Sequence, residues 1–423
     1  MKPYLQLTPS ERQKEYATLQ GKMEEYKALG LKLNMARGKP GAEQLRLSAP
    51  MLHILDIDDC EVDGIDARNY GEMAGLPCAK KLFADLLGTH PEEILVGGNA
   101  SLSLMYDLIA KAYTHGLKNS AQPWSKEETV KFLCPSPGYD RHFKISESFG
   151  MELITIAMTE TGPDMDAVEE AVQDPTVKGM WCVPKYSNPD GIVYSEETID
   201  RIASLKPAAP DFTLMWDNAY CVHEVYGEFR PFRDILTLCR EAGNPDMVYE
   251  FASTSKITFP GAGVAVMAAS VENQKYIASL LTYQTISYDK LNQLRHVRFL
   301  KDKETVLALM QEHAKILQPK FSAVLDALDR EIAPLEIGSW TKPMGGYFVS
   351  YNAMEGTAKR ALALCKEAGV VMTGAGATFP YGKDPKDSNI RIAPSLPPVE
   401  ELKSAMEIFC ICLRMAALEK LGL

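Results

Sequence analysis

A lysine follows an apolar, strand-like segment in the stretch Tyr249-Glu250-Phe251-Ala252-Ser253-Thr254-Ser255-Lys256. Two small hydroxyl side chains, Ser253 and Ser255, precede the lysine, and a glycine-rich run, residues 257–263, comes after it. A lysine amine reacts as a nucleophile when its surroundings lower its pKa and hold it next to a carbonyl group. The same pattern is typical of a surface lysine after a core strand, so the stretch alone leaves both interpretations open.

Short apolar segments like this one recur through the middle of the chain and alternate with helical patterns. Seven of them are predicted to be strands: 94–96, 131–134, 152–157, 180–184, 212–216, 248–251 and 263–269. Strands that alternate with helices form a mostly parallel sheet that is buried on both faces. The sequence therefore predicts an α/β fold built on a mostly parallel seven-stranded sheet.

Polar residues stand close after several of these strands. They are Ser101, Tyr139, Asn188, Asp217 and Lys256. In such sheets, ligands bind beyond the carboxyl ends of the strands, so we expect these side chains to share one site. After the first strand, Gly97-Gly98-Asn99 leads into a helix, an arrangement that presents backbone N–H groups to a phosphate. The loop lacks the G-K-[ST] ending of a P-loop and the G-x-G-x-x-G spacing, which disfavours ATP and dinucleotides.

The composition is that of a globular protein, with 46% apolar and 24% charged residues. A length of 423 residues predicts two domains, a large one at 46–300 and a smaller α+β domain formed by 1–45 and 301–423. The net charge of −11 argues against a nucleic-acid partner. Nine scattered cysteines indicate reduced thiols and no metal site. Since no signal-peptide or membrane-spanning pattern is found, we expect a cytoplasmic protein.

Eight short motifs follow one another along nearly the whole chain. They are Arg37-Gly38-Lys39-Pro40, the spacing from Tyr70 to Gly75, Gly97-Gly98-Asn99, the Pro-x-Pro-x-Tyr of 135–139, the Asn-Pro-x-Gly of 188–191, the Asp-x-Ala-Tyr of 217–220, the Ser-x-Ser-Lys of 253–256 and Arg391-Ile392. With these motifs the chain resembles the fold-type I aminotransferases of class I/II, which depend on pyridoxal 5′-phosphate (PLP). Within them it is most similar to the type Ic (MocR-like) aspartate aminotransferase subgroup.

The resemblance implies a role for each residue around the PLP ring. Lys256 would bond to the cofactor aldehyde and then move a proton at the substrate Cα. Asp217 would face the pyridine nitrogen and keep it protonated, so that the ring accepts electrons. Tyr220 and Asn188 would hydrogen-bond the 3′ oxygen of the ring, and Tyr139 would stack on the ring. The implied catalytic residues are thus Lys256, Asp217 and Tyr220.

The resemblance also implies residues for the phosphate and the substrate. The phosphate would be held by Gly98, Asn99, Ser101, Ser253 and Ser255, with Tyr70 reaching in from the second subunit of a homodimer with shared active sites. Arg391 would bind the α-carboxylate of an amino acid or 2-oxo acid, because a guanidinium matches a carboxylate bidentately. Asn188 would contact the same substrate, and Gly38 would approach it through its backbone.

Two positions depart from the commoner pattern of the family. Many relatives carry a phosphate-binding arginine eight residues after the lysine, where this chain has Val264. Lys290, supplied across the dimer, is the favoured replacement, and Arg295 is the other candidate. The arginine that usually reads a distal substrate carboxylate aligns near Thr285, so either Arg37 or Arg295 is expected to take that role.

The leading hypothesis is amino transfer from an L-amino acid, with aspartate as the expected donor, to 2-oxoglutarate by a ping-pong mechanism. A PLP-dependent lyase or decarboxylase would use the same lysine, aspartate and phosphate site, and another amino donor is also compatible with the motifs. A third possibility is a MocR-like regulator, which combines such a domain with a DNA-binding module. The acidic charge and the short segment before Arg37 argue against that regulator.

Overall fold

The computed structural model describes residues 2–423. The α-helices in this part of the chain are α1 (Pro9–Ala28), α2 (Ala42–Leu47), α3 (Pro77–Leu87), α4 (Ser101–Thr114), α5 (Asp140–Ser148), α6 (Met165–Ala171), α7 (Glu196–Ala203), α8 (Ile235–Glu241), α9 (Val271–Leu281), α10 (Lys290–Leu300), α11 (Lys303–Glu331), α12 (Ala358–Glu367) and α13 (Val399–Leu421). The strands are β1 (Leu33–Asn34), β2 (Glu61–Val62), β3 (Ile65–Asp66), β4 (Ile94–Val96), β5 (Lys131–Ser136), β6 (Glu152–Thr159), β7 (Gly162–Pro163), β8 (Val177–Cys182), β9 (Thr213–Asp217), β10 (Val248–Ser253), β11 (Ala265–Ala269), β12 (Gly338–Trp340), β13 (Val349–Ala353), β14 (Val370–Val371) and β15 (Asn389–Ile392).

The large sheet contains eight strands in the order β4-β11-β10-β9-β8-β5-β6-β7. Neighbouring strands from β10 to β6 are parallel, whereas β11 is antiparallel to both β10 and β4. Six of the seven predicted strands therefore run in one direction, and the predicted mostly parallel α/β sheet is confirmed. The sequence pattern does not predict β7, because this edge strand has only two residues and no apolar alternation.

The large sheet is buried on both faces, because successive residues of a strand point to opposite sides. Along β5, Leu133 packs into a core with residues of α3, α6, α7 and α8, while Phe132 and Cys134 pack into a core with residues of α4, α5 and α9. Helices also connect the parallel strands, as α4 does between β4 and β5 and α8 between β9 and β10. The carboxyl ends of the parallel strands consequently share one edge of the sheet.

The remainder of the chain forms a second sheet with its own core. Its strands are antiparallel in the order β12-β13-β15, and they pack with α1, α11, α12 and α13. The N-terminal strand β1 joins this part by pairing in parallel with β14. The domain boundaries at residues 46 and 300 remain predictions.

Among the helices of residues 2–423, none has both the length and the apolar character needed to cross a membrane. All nine cysteines are unpaired, and eight of them are buried. In the same part of the chain, no cluster of three or more His, Cys, Asp or Glu side chains is arranged to hold a metal ion.

Glu250, in the middle of β10, is a buried carboxyl group in the large sheet. Its Oε1 accepts a hydrogen bond from Asn218 Nδ2 at 2.8 Å, whereas Oε2 has no partner among the described residues. Burial raises the pKa of Glu250 to about 8. The folded protein therefore keeps a proton that the unfolded chain releases near pH ~4.3. As the pH rises from ~4.3 to about 8, the free energy of unfolding falls because the unfolded state binds fewer protons.

Replacing Glu250 by glutamine is expected to remove this loss, since an amide is neutral at every pH in this range. From pH 5 to pH 8 the wild type should lose up to roughly 4 kcal/mol of stability relative to the variant, at about 1.4 kcal/mol per pH unit. Thermal unfolding followed from pH 5 to pH 8 measures the difference. Glu401→Gln, on the exposed face of α13, is the control and should follow the wild-type profile. A Glu250→Gln profile parallel to that of the wild type would contradict the prediction.

Candidate active site

A cavity of about 300 Å³ lies where β9 and the segment after β10 meet the C-terminal part of the chain. Eight residues selected from the sequence line it: Arg37, Gly38, Tyr139, Asn188, Asp217, Tyr220, Lys256 and Arg391. These residues come from strand ends, from the N-terminal segment and from β15. The structure therefore brings together residues that are spread over more than 350 positions of the chain.

Asp217, the last residue of β9, is 3% exposed. Its Oδ2 and His142 Nε2 are 3.0 Å apart and share a hydrogen bond. Its Oδ1 is buried and has no hydrogen-bond partner within residues 2–423. Because a buried carboxylate oxygen without a partner is costly, this atom is suited to a cationic group placed in the cavity.

His142 is a site residue that the sequence analysis did not select. It lies in the first turn of α5, three residues after Tyr139. Its ring stacks on the Trp181 indole, with centroids 4.4 Å apart and planes inclined by 10°. The Trp181 Nε1–H in turn donates to Ser146 Oγ at 3.0 Å. This packing fixes the imidazole, and through it the orientation of Asp217. The sequence feature that could have identified His142 is its position in the first turn of the helix that follows a predicted strand.

Lys256 lies three residues after the end of β10. Its Nζ is 4.5 Å from the centroid of the Tyr220 ring and 6.0 Å from that of Tyr347. Burial of the amine lowers its pKa, and the nearby negative charge of Asp217 opposes this shift. A lysine with a lowered pKa has a larger neutral fraction near pH 7, and the neutral amine is the nucleophilic and basic form.

Two tyrosines that line the cavity, Tyr220 and Tyr139, keep their protons. Burial raises the pKa of the Tyr220 hydroxyl well above its ordinary value. Burial also raises the pKa of Tyr139 to about 12, helped by the negative charges of Asp217 and Asp140 and opposed by Arg391 and Arg141. Tyr139 contacts His142 edge to face, with ring centroids 4.9 Å apart. Both hydroxyls are therefore hydrogen-bond donors at neutral pH.

Arg391, on β15, presents its guanidinium to the same cavity. Its Nη1 donates to Asp140 Oδ1 at 2.9 Å and to Asn188 Oδ1 at 3.2 Å, and its Nη2 donates to Thr373 Oγ1 at 3.4 Å. The guanidinium carbon also lies 5.0 Å from the centroid of the Phe348 ring. These contacts hold the guanidinium in one orientation. Asp140 is a second functional residue that the sequence analysis did not select.

The residues predicted to hold a phosphate form a second group at the same edge of the sheet. Ser253 Oγ donates to Ser255 Oγ at 3.1 Å. Ala265 pairs with Ser253 in the sheet, and its N–H donates to the carbonyl of Gly98 at 2.9 Å. The loop containing Gly98 is therefore separated from the two serines by a single strand.

The loop that contains Gly98 also ends at an uncapped helix. Helix α4 begins at Ser101, and the residue before it provides no side-chain hydrogen bond to the helix end. The N–H of Ser103 donates to the Ala100 carbonyl, and those of Ser101 and Leu102 are available to another partner. Asn99 is exposed, and the space beside the Gly98 Cα is open. An anion suits this loop, because the first N–H groups of α4 face it from an uncapped helix end.

Tyr70 and Lys290 are not among the residues of the cavity. Tyr70 is 78% exposed. Lys290 is buried, and its Nζ donates to the carbonyl oxygens of Asn69 and Gly71 at 2.5 and 2.9 Å. Two backbone carbonyls of its own chain therefore already bind this ammonium, and the phosphate contact of Lys290 across a dimer stays a prediction. Lys290 holds the loop that carries Tyr70.

Arg295 is connected to the phosphate loop through two intermediate residues, Asn292 and Gly263. Its Nη2 donates to Asn292 Oδ1, and Asn292 Nδ2 donates to the Gly263 carbonyl at 2.8 Å. Gly263 lies close to this loop, since a Cβ added there would be 3.0 Å from the Asn99 carbonyl oxygen. Val264, the position of the missing arginine, is buried and apolar. Arg295 does not line the cavity, so the predicted contact between Arg295 and a distal substrate carboxylate is not supported.

Comparisons with known proteins give a consistent result. Residues 7–422 match the profile of the family described as aspartate amino-transferase. An aspartate aminotransferase of Corynebacterium glutamicum is 48% identical over 94% of this chain and 92% of its own length. A crystal structure of an aspartate transaminase from the same species superimposes with a TM-score of 0.94 at 47% identity, covering 96% of each chain. An α-aminoadipate aminotransferase of Thermus thermophilus, complexed with a phosphopyridoxyl-leucine, shares the fold with a TM-score of 0.74 at 22% identity, covering 92% of this chain and 93% of that one.

Proposed function

Because this chain belongs to the aspartate aminotransferase family, we propose that it transfers the amino group of L-aspartate to 2-oxoglutarate. As a PLP-dependent aminotransferase it works in two half-reactions, in which the first oxo acid leaves before the second substrate binds. The observation that carries the proposal is the placement of Asp217, Lys256 and Arg391 around one cavity of about 300 Å³. These residues provide a buried anion, an amine and an oriented guanidinium, which are the groups that this reaction requires.

The residues of the cavity fit PLP. When bound, PLP supplies an aldehyde and a ring that accepts the electrons released at the substrate Cα. Asp217 Oδ1, which is buried and unpaired in the described chain, would hold the protonated ring nitrogen. The Lys256 amine would hold the aldehyde carbon, and Tyr139 would lie against the ring. Tyr220 and Asn188 would hydrogen-bond its 3′ oxygen.

The phosphate of PLP would bind at the loop between β4 and α4. Its proposed ligands are Gly98, Asn99, Ser101, Ser253 and Ser255. A phosphate dianion also needs a positive charge nearby, and Val264 provides none. We propose Arg295 for this role instead of Lys290, because Arg295 is linked through Asn292 to the glycine beside Asn99.

Lys256 performs the proton transfers at the substrate. Its amine, with a lowered pKa, takes the proton from the Cα of the amino acid and later returns a proton to complete the half-reaction. The nearby rings of Tyr220 and Tyr347 confine the amine to the cavity. This confinement keeps the base close to the atom on which it acts.

Arg391 binds the α-carboxylate of the substrate. Its contacts with Asp140, Asn188 and Phe348 orient the guanidinium before substrate arrives, which reduces the entropy lost on binding. Gly38 brings the N-terminal segment close to this arginine. A Cβ at Gly38 would lie 2.4 Å from the Phe348 ring, so only glycine permits that approach.

We propose that two copies of the chain form a homodimer with shared active sites. Tyr70 is far more exposed than tyrosine usually is, and its loop is tied to the start of α10 by Lys290. Exposed apolar side chains stand close to Lys290 along the chain, namely Tyr283, Ile286 and Leu291. A second copy would cover these side chains and bring Tyr70 to the phosphate of its neighbour.

Replacing Lys290 by methionine is expected to weaken cofactor binding about 10-fold, because the two freed carbonyls cost roughly 1–3 kcal/mol and the Tyr70 loop loses its anchor. Titration of the apoenzyme with PLP, followed by absorbance, measures the affinity. Lys275→Met, an exposed lysine of α9, is the control. Tyr70→Phe tests whether Lys290 acts through the Tyr70 loop: if it does, the double variant should bind PLP no more weakly than the weaker single variant. Unchanged affinity of Lys290→Met would show that anchoring this loop does not contribute to PLP binding.

The cytoplasm is the proposed location of the protein. All nine of its cysteines are unpaired and eight are buried, which suits a reducing compartment. Fractionation of the native host, with the activity followed in each fraction, tests this proposal.

The reaction itself is tested by mixing the PLP-loaded protein with one amino acid at a time, without any oxo acid. With aspartate, the visible band should disappear in a single turnover, with formation of pyridoxamine phosphate and oxaloacetate in equal amounts. Addition of 2-oxoglutarate should then restore the band. Release of carbon dioxide, or of ammonia in repeated turnovers, would instead identify a decarboxylase or a lyase. A faster single turnover with another amino acid would identify a different donor.

A further inference from the structure

The active-site cavity contains more positive charge than a single carboxylate requires. Its lining includes five cationic side chains, Arg37, Lys39, Arg141, Lys256 and Arg391, and two carboxylates. Arg391 is paired with Asp140, and Asp217 is bonded to His142. Within residues 2–423, by contrast, Arg37, Lys39 and Arg141 form no ion pair. Because the Lys256 amine is proposed to hold the cofactor aldehyde, the excess charge lies on the other three unpaired side chains.

Arg141 differs from the other two in how it is held. It lies in the first turn of α5, directly between Asp140, which is bonded to Arg391 at 2.9 Å, and His142, which is bonded to Asp217 at 3.0 Å. The backbone of Arg141 is thus fixed relative to both the carboxylate-binding guanidinium and the ring-nitrogen carboxylate. Arg37 and Lys39 instead lie in the irregular segment between β1 and α2. A site built on a regular element is positioned more accurately than one on a loop.

The charge of Arg141 also acts inside the cavity. It is one of two arginines, with Arg391, whose positive charges oppose the raised pKa of the Tyr139 hydroxyl. The two other candidates for a second carboxylate site are placed elsewhere. Thr285 donates to the Ser287 carbonyl, and Arg295 donates to Asn292. Within residues 2–423, neither Thr285 nor Arg295 lines the cavity.

We propose that Arg141 binds the distal carboxylate of a dicarboxylic substrate. This inference rests on the proposed aspartate aminotransferase activity and assigns the residue that selects its substrates. The guanidinium of Arg141 pairs with the second carboxylate while Arg391 holds the first. The residue that selects the substrate then belongs to the same chain as Lys256.

The test compares Arg141→Met with Lys144→Met in the PLP-loaded enzyme. Lys144 is one turn further along α5, is exposed, and pairs only with Glu147. Lys144→Met therefore removes one positive charge from the same helix without changing the lining of the cavity. Binding of succinate and of propionate is measured by titration calorimetry, and kcat/KM is measured for aspartate and for alanine. In Arg141→Met, succinate affinity and kcat/KM for aspartate should each fall about 10- to 100-fold, the effect of one charged hydrogen-bonded pair. Propionate affinity and kcat/KM for alanine should stay at the wild-type values.

Arg141→Lys provides a graded check. It keeps the charge but loses the bidentate geometry, so succinate affinity should lie between those of the wild type and Arg141→Met. The proposal is overturned if Arg141→Met binds succinate as the wild type does, if it loses propionate binding equally, or if only Arg37→Met loses succinate. A wild-type enzyme that binds succinate no more tightly than propionate would instead overturn the proposed aspartate specificity, and with it the basis of this inference.

Discussion

Replacing Lys256 by alanine is expected to abolish amino transfer and the visible absorption of the PLP-loaded protein. The methyl side chain has no amine to bond to the cofactor aldehyde and no group to move the Cα proton. The single-turnover rate with aspartate should therefore fall by at least about 10⁴-fold. The measurement is the visible spectrum after addition of PLP, before and after treatment with borohydride, together with stopped-flow rates.

The matched control for Lys256→Ala is Lys275→Ala. Lys275 is exposed on α9 and pairs only with Glu272 at 2.7 Å, so its loss should leave the spectrum and the rate unchanged. If Lys256→Ala kept a visible band that borohydride removes, a different lysine would carry the cofactor. The assignment of the cavity as the active site would then be wrong.

Replacing Asp217 by asparagine is expected to reduce the single-turnover rate by about 10² to 10⁴-fold while the protein still binds PLP. The amide has nearly the same shape and can still bond to His142. It has no negative charge, however, so it does not keep the ring nitrogen protonated. The rate should fall more than the affinity for PLP, because this electrostatic stabilisation is greatest when negative charge develops at the substrate Cα. Stopped-flow decay of the visible band with saturating aspartate measures the rate, and a titration with PLP measures the affinity.

Glu250→Gln is the matched control for Asp217→Asn. Glu250 is also a buried carboxyl group and lies on the adjacent strand, but it does not line the cavity. Its replacement should change the pH dependence of stability and leave the rate unchanged. His142→Asn should have an intermediate effect, because His142 positions Asp217 without touching the substrate. A rate for Asp217→Asn within about threefold of the wild type would contradict the role of Asp217.

The seven predicted strands of the large sheet were accessible to sequence reasoning because each is a short apolar run bounded by turn residues. In β8 and β9, every residue is buried, which is the pattern of a strand covered by helices on both faces. The edge strand β7 was not accessible, because two residues carry no periodicity. Its formation depends on the neighbouring strand β6.

The candidate site likewise contains residues that the sequence predicts and residues that it does not. Asp217 and Lys256 stand out in the sequence because they follow strands of a parallel sheet, whose carboxyl ends meet at one edge. Asp140 and His142 also follow a strand, β5, but their importance depends on partners far away in the chain. The two partners of Lys290 could not be predicted from the sequence for the same reason, since they are backbone carbonyls of a distant loop.

The amino-acid order by itself determines the α/β class of this protein and most residues of its cavity, because apolar periodicity and turn residues are local properties of the chain. Only the tertiary structure decides which polar groups become partners. Asp217 bonds to a residue 75 positions away, Arg391 to one 251 positions away, and Lys290 to one 221 positions away. A hydrogen bond requires two atoms to lie within about 3 Å of each other, and that distance is set by how helices and strands pack together.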